Sequence, residues 1–278
     1  MNPGRDGFDE AVRIAAEAEV VLMVLGLSQQ VEGEEGQEEG ISNSAVSQGD
    51  RTGITLPGEQ GALLEAVVAT GTPVVLVLVN GGPIAINWAN DHVPAILEAW
   101  YPGQAGGRAV AEALFGDFSP GGRLPVTFYQ SIDDLPDFVN YDMAGRTYRY
   151  FEGDALYPFG YGLSYTQFEY RDLSLSSHQL SGTEVLDLSC VVKGTGKVAG
   201  DEVVQVYLRD EEASLTVPRH ALVGFQRIHL EPGAESHLTF RIDPKQFAYA
   251  NEDGGWVIES GTFTVFVGGG QPGTGGEL

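Results

Sequence analysis

The opening of the chain combines a helical pattern with an apolar run. Residues 8–18 place Phe8, Val12 and Ala15 on one helical face, and six consecutive apolar residues follow at 20–25. A strand that is apolar at every position is typical of a parallel sheet with helices on both faces. The sequence therefore predicts a helix followed by a strand buried on both faces.

This succession continues to about residue 115. Further helical stretches and apolar strands lie at 59–70, 84–89 and 107–115, and at 74–79 and 95–100, respectively. Alternating strands and helices predict an α/β layered domain with parallel strand order. Only three strands are clear, whereas a complete doubly wound sheet has about five or six. The opening helix also has no strand before it, so we expect the natural domain to begin upstream of Met1.

The second half has a different period. Short alternating segments replace the helical spacing, at 185–192, 202–208, 221–230, 236–242, 255–258 and 261–267. Turn signals rich in Gly, Pro and Asp separate them. This pattern is typical of an all-β, immunoglobulin-like sandwich.

Between the two halves lies a long aperiodic segment, residues 118–168, that is rich in Pro, Gly and Tyr. It is too long for a passive loop, so we expect an ordered connector packed by its aromatic side chains. The predicted organisation is a partial α/β parallel-sheet sandwich domain at 1–128, truncated at its N-terminus, then a connector at 129–168, an all-β sandwich at 169–270 and a tail at 271–278. The end of the chain is Gly-rich, and we expect it to fray.

Composition restricts the partners. The formal net charge is -24 and the sequence pI is about 4.3, so the chain repels polyanions, and nucleic acid is excluded as a partner. No apolar run approaches the roughly 18 residues of a membrane-spanning helix, so we expect a soluble chain without a membrane partner. Residues 1–7 lack the apolar core of a signal peptide, and the compartment stays open.

The metal-ligating and redox-active residue types are sparse. Cys190 is the only cysteine, so no intrachain disulfide can form, and its apolar strand predicts a buried structural thiol. The histidines at 92, 178, 220, 229 and 237 have no metal-ligand spacing. We expect neither a metal nor a cofactor.

Candidate chemistry lies in loops that follow the predicted parallel strands, because open α/β sheets bind ligands beyond the carboxyl ends of their strands. These loops begin at Gly26, Asn80 and Tyr101. The first contains five glutamates between residues 32 and 39. Their repulsion raises the proton affinity of the most buried one, which would suit a general acid. A solvated acidic loop and a calcium site are the alternatives, although the known calcium-loop pattern is missing.

At this loop the sequence resembles a known family. Residues 26–35, then Gly-Asp-Arg at 49–51 and Leu-Pro-Gly-Glu-Gln at 56–60, are similar to the acid/base loop of family three β-glucosidases and β-xylosidases. In that loop a Glu-x-Glu precedes an Asp-Arg pair and a Leu-Pro-x-x-Gln helix start. Further similar motifs follow in order at 73–75, 99–104, 114–117, 122–128, 146–151 and 157–166. Residues 200–207 and 222–225 resemble the fibronectin type III-like domain that ends these enzymes.

The resemblance implies an enzyme that cleaves terminal β-linked sugars with retention, using two carboxyl groups. It implies a nucleophilic Asp on an N-terminal barrel, which no segment of this chain matches. We therefore expect the chain alone to be inactive and that barrel to be its partner, with a β-glycoside or oligosaccharide as substrate. The resemblance further implies that Glu34 is the acid/base, with Glu35 as runner-up and Glu32 in support. Family members are often periplasmic or secreted.

Four further residues are candidates for substrate binding: Asp50, Arg51, Trp100 and Tyr101. Asp50 and Arg51 are alternatively a charge-assisted pair that orders the loop, and Arg51 an ordinary surface ion pair. Trp100 and Tyr101 either stack on a sugar or pack in the core. Fifteen residues separate Glu34 from Asp50, whereas the compact family loop has two, so the register within 32–39 is open.

Two other function classes remain open. One is a non-catalytic carbohydrate-binding or interaction module on the same fold, and the other is a purely structural piece. Fold analogy alone does not decide activity. The sugar, the linkage and the oligomeric state have no signal in the sequence.

Overall fold

A computed structural model describes residues 4–28, 31–32, 51–251 and 253–274. The chain forms two compact units. The α/β unit contains the described residues up to Ala111, together with Phe128–Leu135 and Asp154–Leu156. The sandwich unit contains Glu112–Thr127, Pro136–Gly153 and the described residues from Tyr157 onward.

The α/β unit is built on a parallel sheet in the order β1-β2-β3, formed by Val21–Gly26, Val74–Val79 and Ala95–Glu98. Val21 pairs with Val74, and Val75 with Ala95. The central strand β2 is largely buried, which matches its all-apolar sequence. The predicted α/β class with parallel strands is confirmed.

Strand β1 differs from the prediction because only one of its faces is covered. Met23 is buried, whereas Leu22 and Val24 are 53% and 59% exposed. Their side chains point away from Met23, since successive residues of a strand face opposite sides. Within the described ranges β1 is an edge strand paired only with β2, and no described element covers its second face.

The helices of this part of the chain are α1 at Phe8–Glu17, α2 at Gln60–Val68, α3 at Asn87–His92 and α4 at Gly106–Phe115. Helix α3 begins later than the predicted 84–89. Ala85 donates its N–H to the Ile54 carbonyl and forms a parallel bridge with Thr55, so the residues before α3 are held in an extended conformation. Ile84 and Ile86 are nevertheless buried, which explains the apolar signal.

The turn after β1 is fixed by Gly26. Its φ is +140°, and a Cβ there would lie 2.0 Å from the Val79 carbonyl oxygen, so no other residue fits. The Gln60 side chain binds both the N–H and the carbonyl of Gly26, at 2.8 and 2.9 Å. The start of the acidic loop is therefore tied to the end of β2 and the start of α2.

The sandwich unit has two antiparallel three-stranded sheets, in the orders β4-β5-β8 and β11-β6-β7. The strands are β4 Phe168–Leu175, β5 Leu186–Gly194, β6 Gly200–Asp210, β7 Ala221–Leu230, β8 Glu235–Ile242 and β11 Phe263–Gly268, with a small hairpin of β9 Tyr249–Ala250 and β10 Trp256–Val257. Leu188, Val192, Val206, Leu238 and Val267 pack in one core. This confirms the predicted all-β sandwich class, and Cys190 is buried in the same core.

Strand β4 is absent from the sequence predictions. Its pairing with β5 shifts between Arg171 and Ser174, and Asp172 has a φ of +58°. This irregularity interrupts the alternation of apolar and polar residues on which a strand prediction depends.

The aromatic segment before β4 is ordered by contacts within the sandwich unit. Tyr148, in the short helix α5 at Thr147–Tyr150, stacks on Phe159 with ring centroids 4.2 Å apart, and its hydroxyl accepts the Leu222 N–H. Arg219 donates its N–H to the Arg149 carbonyl at 2.7 Å. In the described residues, no helix has the length and apolar character needed to cross a membrane.

A buried ion pair links the aperiodic segment 118–168 to strand β6. Arg123 and Glu202 are 2.9 Å apart with side chains 9% and 4% exposed, and Arg123 also donates to the Gly269 carbonyl. Burial raises the pKa of Glu202, while Arg123 opposes that shift. Glu202 therefore depends on Arg123 to remain charged inside the unit.

We predict that Arg123→Met lowers the free energy of unfolding by about 3–5 kcal/mol, because it leaves a buried carboxylate unpaired. Urea denaturation followed by circular dichroism measures this loss. The matched control is Arg171→Met, which removes the 38%-exposed partner of Glu235 and should cost about 1 kcal/mol or less. If both variants lost the same small amount of unfolding free energy, the buried pair would not stabilise the unit more than an exposed one does.

Candidate functional site

The candidate site lies at the carboxyl edge of the parallel sheet, where the three strand-following loops meet. The loop after β1 contributes Glu32, the loop after β2 contributes Gly81 and Gly82, and the segment after β3 contributes Tyr101. Arg51 completes the group. This is the edge that the strand-order argument selects for ligands.

Glu32 is the centre of the group. Its two carboxylate oxygens accept the N–H groups of Gly81 and Gly82, at 3.1 and 2.9 Å. The Tyr101 hydroxyl donates to Oε2, and the Arg51 guanidinium lies 3.5 Å from Oε1. Because a carboxylate accepts about four hydrogen bonds, protein donors occupy essentially all of its capacity. We call Glu32 and these four donors the Glu32 cradle.

The backbone before Glu32 is fixed by a short turn. Val31 and Glu32 both donate their N–H groups to the Ser28 carbonyl, at 2.8 and 2.9 Å, and Leu27 donates to the Val79 carbonyl. Leu27 and Val31 are buried and anchor the turn by their apolar side chains. The position of Glu32 is therefore set by the end of the sheet.

Arg51 is held on three sides. It donates to the carbonyls of Gly53 and Pro83, at 3.2 and 3.3 Å, and faces Glu32. Burial lowers its pKa, and the charge of Glu32 opposes that shift. The side chain is 14% exposed, so the structure places Arg51 in a partly buried pair and not in a surface one.

Tyr101 and Trp100 occupy different surroundings. Partial burial and the hydrogen bond to Glu32 raise the pKa of Tyr101 to about 12, so its hydroxyl stays protonated and donates at neutral pH. The residue remains 46% exposed. Trp100 packs edge-to-face on Phe128, with centroids 6.1 Å apart. Of the two aromatic candidates, Tyr101 is the one that faces solvent.

Two further polar residues lie in the same region: Asn80, which the sequence indicated only as the start of a candidate loop, and Glu98, which the sequence analysis did not single out. Asn80 follows β2 and is fully buried, and Glu98 ends β3 and accepts the Trp100 N–H at 3.1 Å. Burial raises the pKa of Glu98 to about 7. The available signal was a polar residue at the end of each of two apolar strands, directly after β2 for Asn80 and as the last residue of β3 for Glu98.

The other predicted site residues, Glu34, Glu35 and Asp50, lie outside the described residues. Within the described parts of the chain, no three His, Cys, Asp or Glu side chains are grouped so that they could hold a metal ion. The cradle itself combines one carboxylate with donors. Such an arrangement orients a loop by hydrogen bonds.

Comparison with known proteins identifies the relatives of both halves. Residues 3–165 match the model of the glycosyl hydrolase family 3 C-terminal domain, and residues 202–271 match that of the fibronectin type III-like domain. A periplasmic β-glucosidase of Salmonella typhimurium is 40% identical over 94% of this chain, and a β-xylosidase of Formosa agariphila is 38% identical over 95%. The chain covers 34% and 35% of the lengths of these two relatives.

Solved structures agree. A β-glucosidase of Erythrobacter marinus superposes with a TM-score of 0.83 at 37% identity, over 97% of this chain and 35% of its own. A family 3 β-glucosidase of Bifidobacterium adolescentis has the same TM-score at 33% identity, over 97% of this chain and 40% of its own. The chain therefore spans about a third of the length of the proteins that it matches.

We predict that Gly81→Ala disturbs the Glu32 cradle and that Gly82→Ala does not. A Cβ on Gly81 would lie 2.8 Å from both Glu32 Oε2 and the Tyr101 ring, whereas one on Gly82 finds its nearest neighbour at 3.4 Å. Loss of the Tyr101–Glu32 hydrogen bond should lower the pKa of Tyr101 from about 12 towards the ordinary value of about 10. An NMR titration of the chain with ¹³C-labelled tyrosine measures this pKa. A Tyr101 pKa that is the same in Gly81→Ala as in the parent chain would contradict the hydrogen bonding that we describe for the cradle.

Proposed function

Because this chain belongs to glycosyl hydrolase family 3, we propose that it supplies the general acid/base of a retaining β-glycosidase. The two halves match the C-terminal domain of that family and the fibronectin type III-like domain. The nucleophile lies, in this proposal, on the N-terminal barrel, in the portion of the relatives that this chain does not cover.

The observation that carries the proposal is the Glu32 cradle. Three donors from the segments after β2 and β3, together with Arg51, converge on one carboxylate at the beginning of the acidic loop. A carboxylate whose acceptor positions are filled is poorly placed to transfer a proton, yet it is well placed to anchor a loop. Glu32 is therefore the anchor, and the neighbouring carboxyl groups remain for the proton transfer.

Glu34 is the proposed acid/base, and Glu35 is the second choice. Glu34 follows Glu32 by two positions, as the second member of the Glu-x-Glu motif. In the first step the Glu34 carboxylic acid would protonate the glycosidic oxygen while the nucleophilic Asp attacks the anomeric carbon, which forms a glycosyl-enzyme and releases the leaving group. In the second step the Glu34 carboxylate would take a proton from water as that water attacks the anomeric carbon and frees the nucleophile.

The proposed substrate is a terminal β-linked glucose or xylose residue. Relatives with sequence identities near 40% are named as a β-glucosidase and a β-xylosidase. A neutral sugar is compatible with a chain of net charge -24, which would repel an anionic ligand. Tyr101, with nearly half of its surface exposed beside the cradle, could contact one sugar face. Asp50 and Arg51 are proposed to order the loop.

The first test uses the chain alone. We predict no Glu34-dependent hydrolysis of aryl β-glucosides or β-xylosides over many hours, because one of the two carboxyl groups is missing. Release of the aryl group, followed by absorbance, is the measurement. Turnover that Glu34→Gln abolishes would mean that another carboxylate of this chain acts as nucleophile.

The second test fuses this chain to the N-terminal two-thirds of the Salmonella relative and measures kcat/KM on aryl β-glucosides. We predict that Glu34→Gln lowers the rate by about 10²–10⁴-fold, most for poor leaving groups, which need the acid. Azide should restore turnover on a substrate with a good leaving group, because this small anion attacks the glycosyl-enzyme without a general base.

Three further variants of the fusion separate the candidates. Glu38→Gln, in the same loop, should leave the rate nearly unchanged. Glu32→Gln should lower the rate without azide rescue, because an amide cannot accept all the hydrogen bonds of the cradle. Azide rescue in Glu35→Gln, with Glu34→Gln unaffected, would move the assignment to Glu35.

A further inference from the structure

The motif at 146–151 begins with an arginine that holds the preceding loop in place. The Arg146 guanidinium donates through Nε to the Asp142 carbonyl at 3.0 Å. Through Nη2 it donates to the Asp137 carbonyl, at 3.2 Å, and to the Asn140 carbonyl. One side chain therefore binds three main-chain carbonyls, which no sheet or helix satisfies at these positions.

Further contacts close this segment, residues 136–145, which we call the stapled loop. The Asn140 Oδ1 accepts the Asp142 N–H at 2.9 Å. The two ends of the loop approach each other, since a Cβ added to Gly145 would lie 3.5 Å from Pro136 Cγ. Closed ends are typical of the compact surface loops that are frequently functional.

The helix that follows the stapled loop is anchored inside the sandwich unit. The Tyr148 ring of α5 lies edge-to-face with that of Tyr207, which is fully buried on β6, with centroids 6.2 Å apart. Arg219 also donates from Nη1 to the Phe151 carbonyl. The base of the loop is therefore held by the sandwich strands, and Arg146 holds the rest of its backbone.

The stapled loop nevertheless presents apolar side chains to solvent. Phe138, Val139 and Tyr141 are 85%, 82% and 93% exposed, and Met143 is 47% exposed. Single exposed apolar residues are ordinary, but four of them within six positions on a fixed backbone indicate an interaction site. A backbone that is already ordered also lowers the entropic cost of binding.

The chemistry of the loop favours a protein surface as its occupant. A sugar binds where polar groups converge, whereas the carbonyls of Asp137, Asn140 and Asp142 already accept hydrogen bonds from Arg146. Aromatic residues and methionine are instead enriched in the cores of protein interfaces. The net charge of -24 disfavours a second copy of the chain and an anionic lipid surface.

We propose that the stapled loop docks on the N-terminal portion of the family 3 enzymes, which is the barrel of the proposed function. The loop lies within residues 3–165, which match the family's C-terminal domain. The chain covers 34% and 35% of the lengths of the Salmonella and Formosa relatives, so these proteins carry a large further surface on the same polypeptide. Only the identity of the partner rests on the proposed function.

The interface has a core and a rim. Phe138, Val139 and Tyr141 form the apolar core, which the barrel covers. Asp137 and Asp142 are exposed beside them and form an acidic rim. Such a rim suits basic residues on the barrel, because complementary charges steer two surfaces together.

The first test measures hydroxyl-radical labelling, read by mass spectrometry, of the chain alone and of two fusions. The fusions join the chain to the N-terminal portions of the Salmonella and Formosa relatives. Labelling of Phe138 and Tyr141 should be about tenfold slower in the fusions, because the core of an interface excludes water. Trp256, which is 76% exposed on β10, is the internal control and should keep its rate.

Equally fast labelling of Tyr141 in the chain and in a folded fusion would overturn the proposal. Protection of Tyr141 in the chain alone would overturn it as well: protection by cellobiose would assign the loop to a sugar, and protection at raised chain concentration to a second copy. Failure of both fusions to fold, followed by circular dichroism, would also count against it, because the interface would then form with neither relative.

A serine variant tests whether the loop stabilises the fusion. Tyr141→Ser should lower the thermal unfolding midpoint of the fusion and leave that of the chain alone unchanged, because the side chain is exposed in the chain. Phe225→Ser, at a position of β7 that is 69% exposed, is the matched control and should change neither midpoint. An unchanged midpoint of the Tyr141→Ser fusion would contradict the docking.

The staple has its own test in the chain alone. Chymotrypsin cleaves after aromatic residues, and we expect slow cleavage at Phe138 and Tyr141 despite their exposure, because the backbone is held. Arg146→Met should raise this cleavage rate by about tenfold, since it removes three hydrogen bonds that close the loop. Arg149→Met, which removes a side chain that lies over the Tyr148 ring, is the matched control and should not. Equal rates in Arg146→Met and the parent would overturn the preformed loop.

These measurements do not require activity, so they separate the docking surface from the proposed function. A fusion that protects Tyr141 but hydrolyses no glycoside would support the docking surface and count against the proposed function. An active fusion in which Tyr141 is labelled as fast as in the chain alone would overturn the docking surface and leave the proposed function standing.

Discussion

The carboxyl edge of the parallel sheet is held together by one carboxylate. The hydrogen bonds of Glu32 to the loops that follow the strands are the constraint on which the rest of this edge depends. Gly26 brings the end of β1 against β2, Gln60 locks that turn, and Glu32 then joins the loops that follow β2 and β3. Removing the carboxylate would leave two backbone N–H groups, a phenol and a guanidinium without their common acceptor. The strand ends and the start of the acidic loop at Glu32 are thus parts of one arrangement.

The sandwich unit also relies on buried polar side chains to hold irregular backbone. Arg123 and Glu202 are buried together, and Gln205 donates to the carbonyls of Gly160 and Gly269 at 3.1 and 2.9 Å. The carbonyl of Gly160 is thereby satisfied by Gln205 of β6, and the carbonyl of Gly269, just after β11, by both Gln205 and Arg123. In both units, irregular backbone is held by a few buried polar side chains, since it lacks the ladder of a sheet.

The sequence predicted the elements with a clear period and missed those without one. The apolar run of β2 and the alternation of apolar and polar residues in β5 to β8 are local patterns that predict strands directly. Strand β4 was missed because a bulge at Asp172 breaks the alternation, and α3 was displaced because an extended pairing with Thr55 overrides the apolar spacing. The family resemblance, not the pattern, singled out Glu32. Gly81 and Gly82 donate through their main-chain N–H groups. Every residue except proline has such a group, so the sequence does not show which ones act as donors.

The closed base of the acidic loop has a consequence for how this loop changes length. Glu32 and Arg51 are drawn together at 3.5 Å, with eighteen residues between them in the sequence. Once two ends are held by structure outside a loop, doubling the loop adds only about 0.6 kcal/mol of closure entropy. Insertions between these positions are therefore nearly neutral for folding. The length and sequence between these two positions can therefore change while the Glu32–Arg51 anchor stays the same.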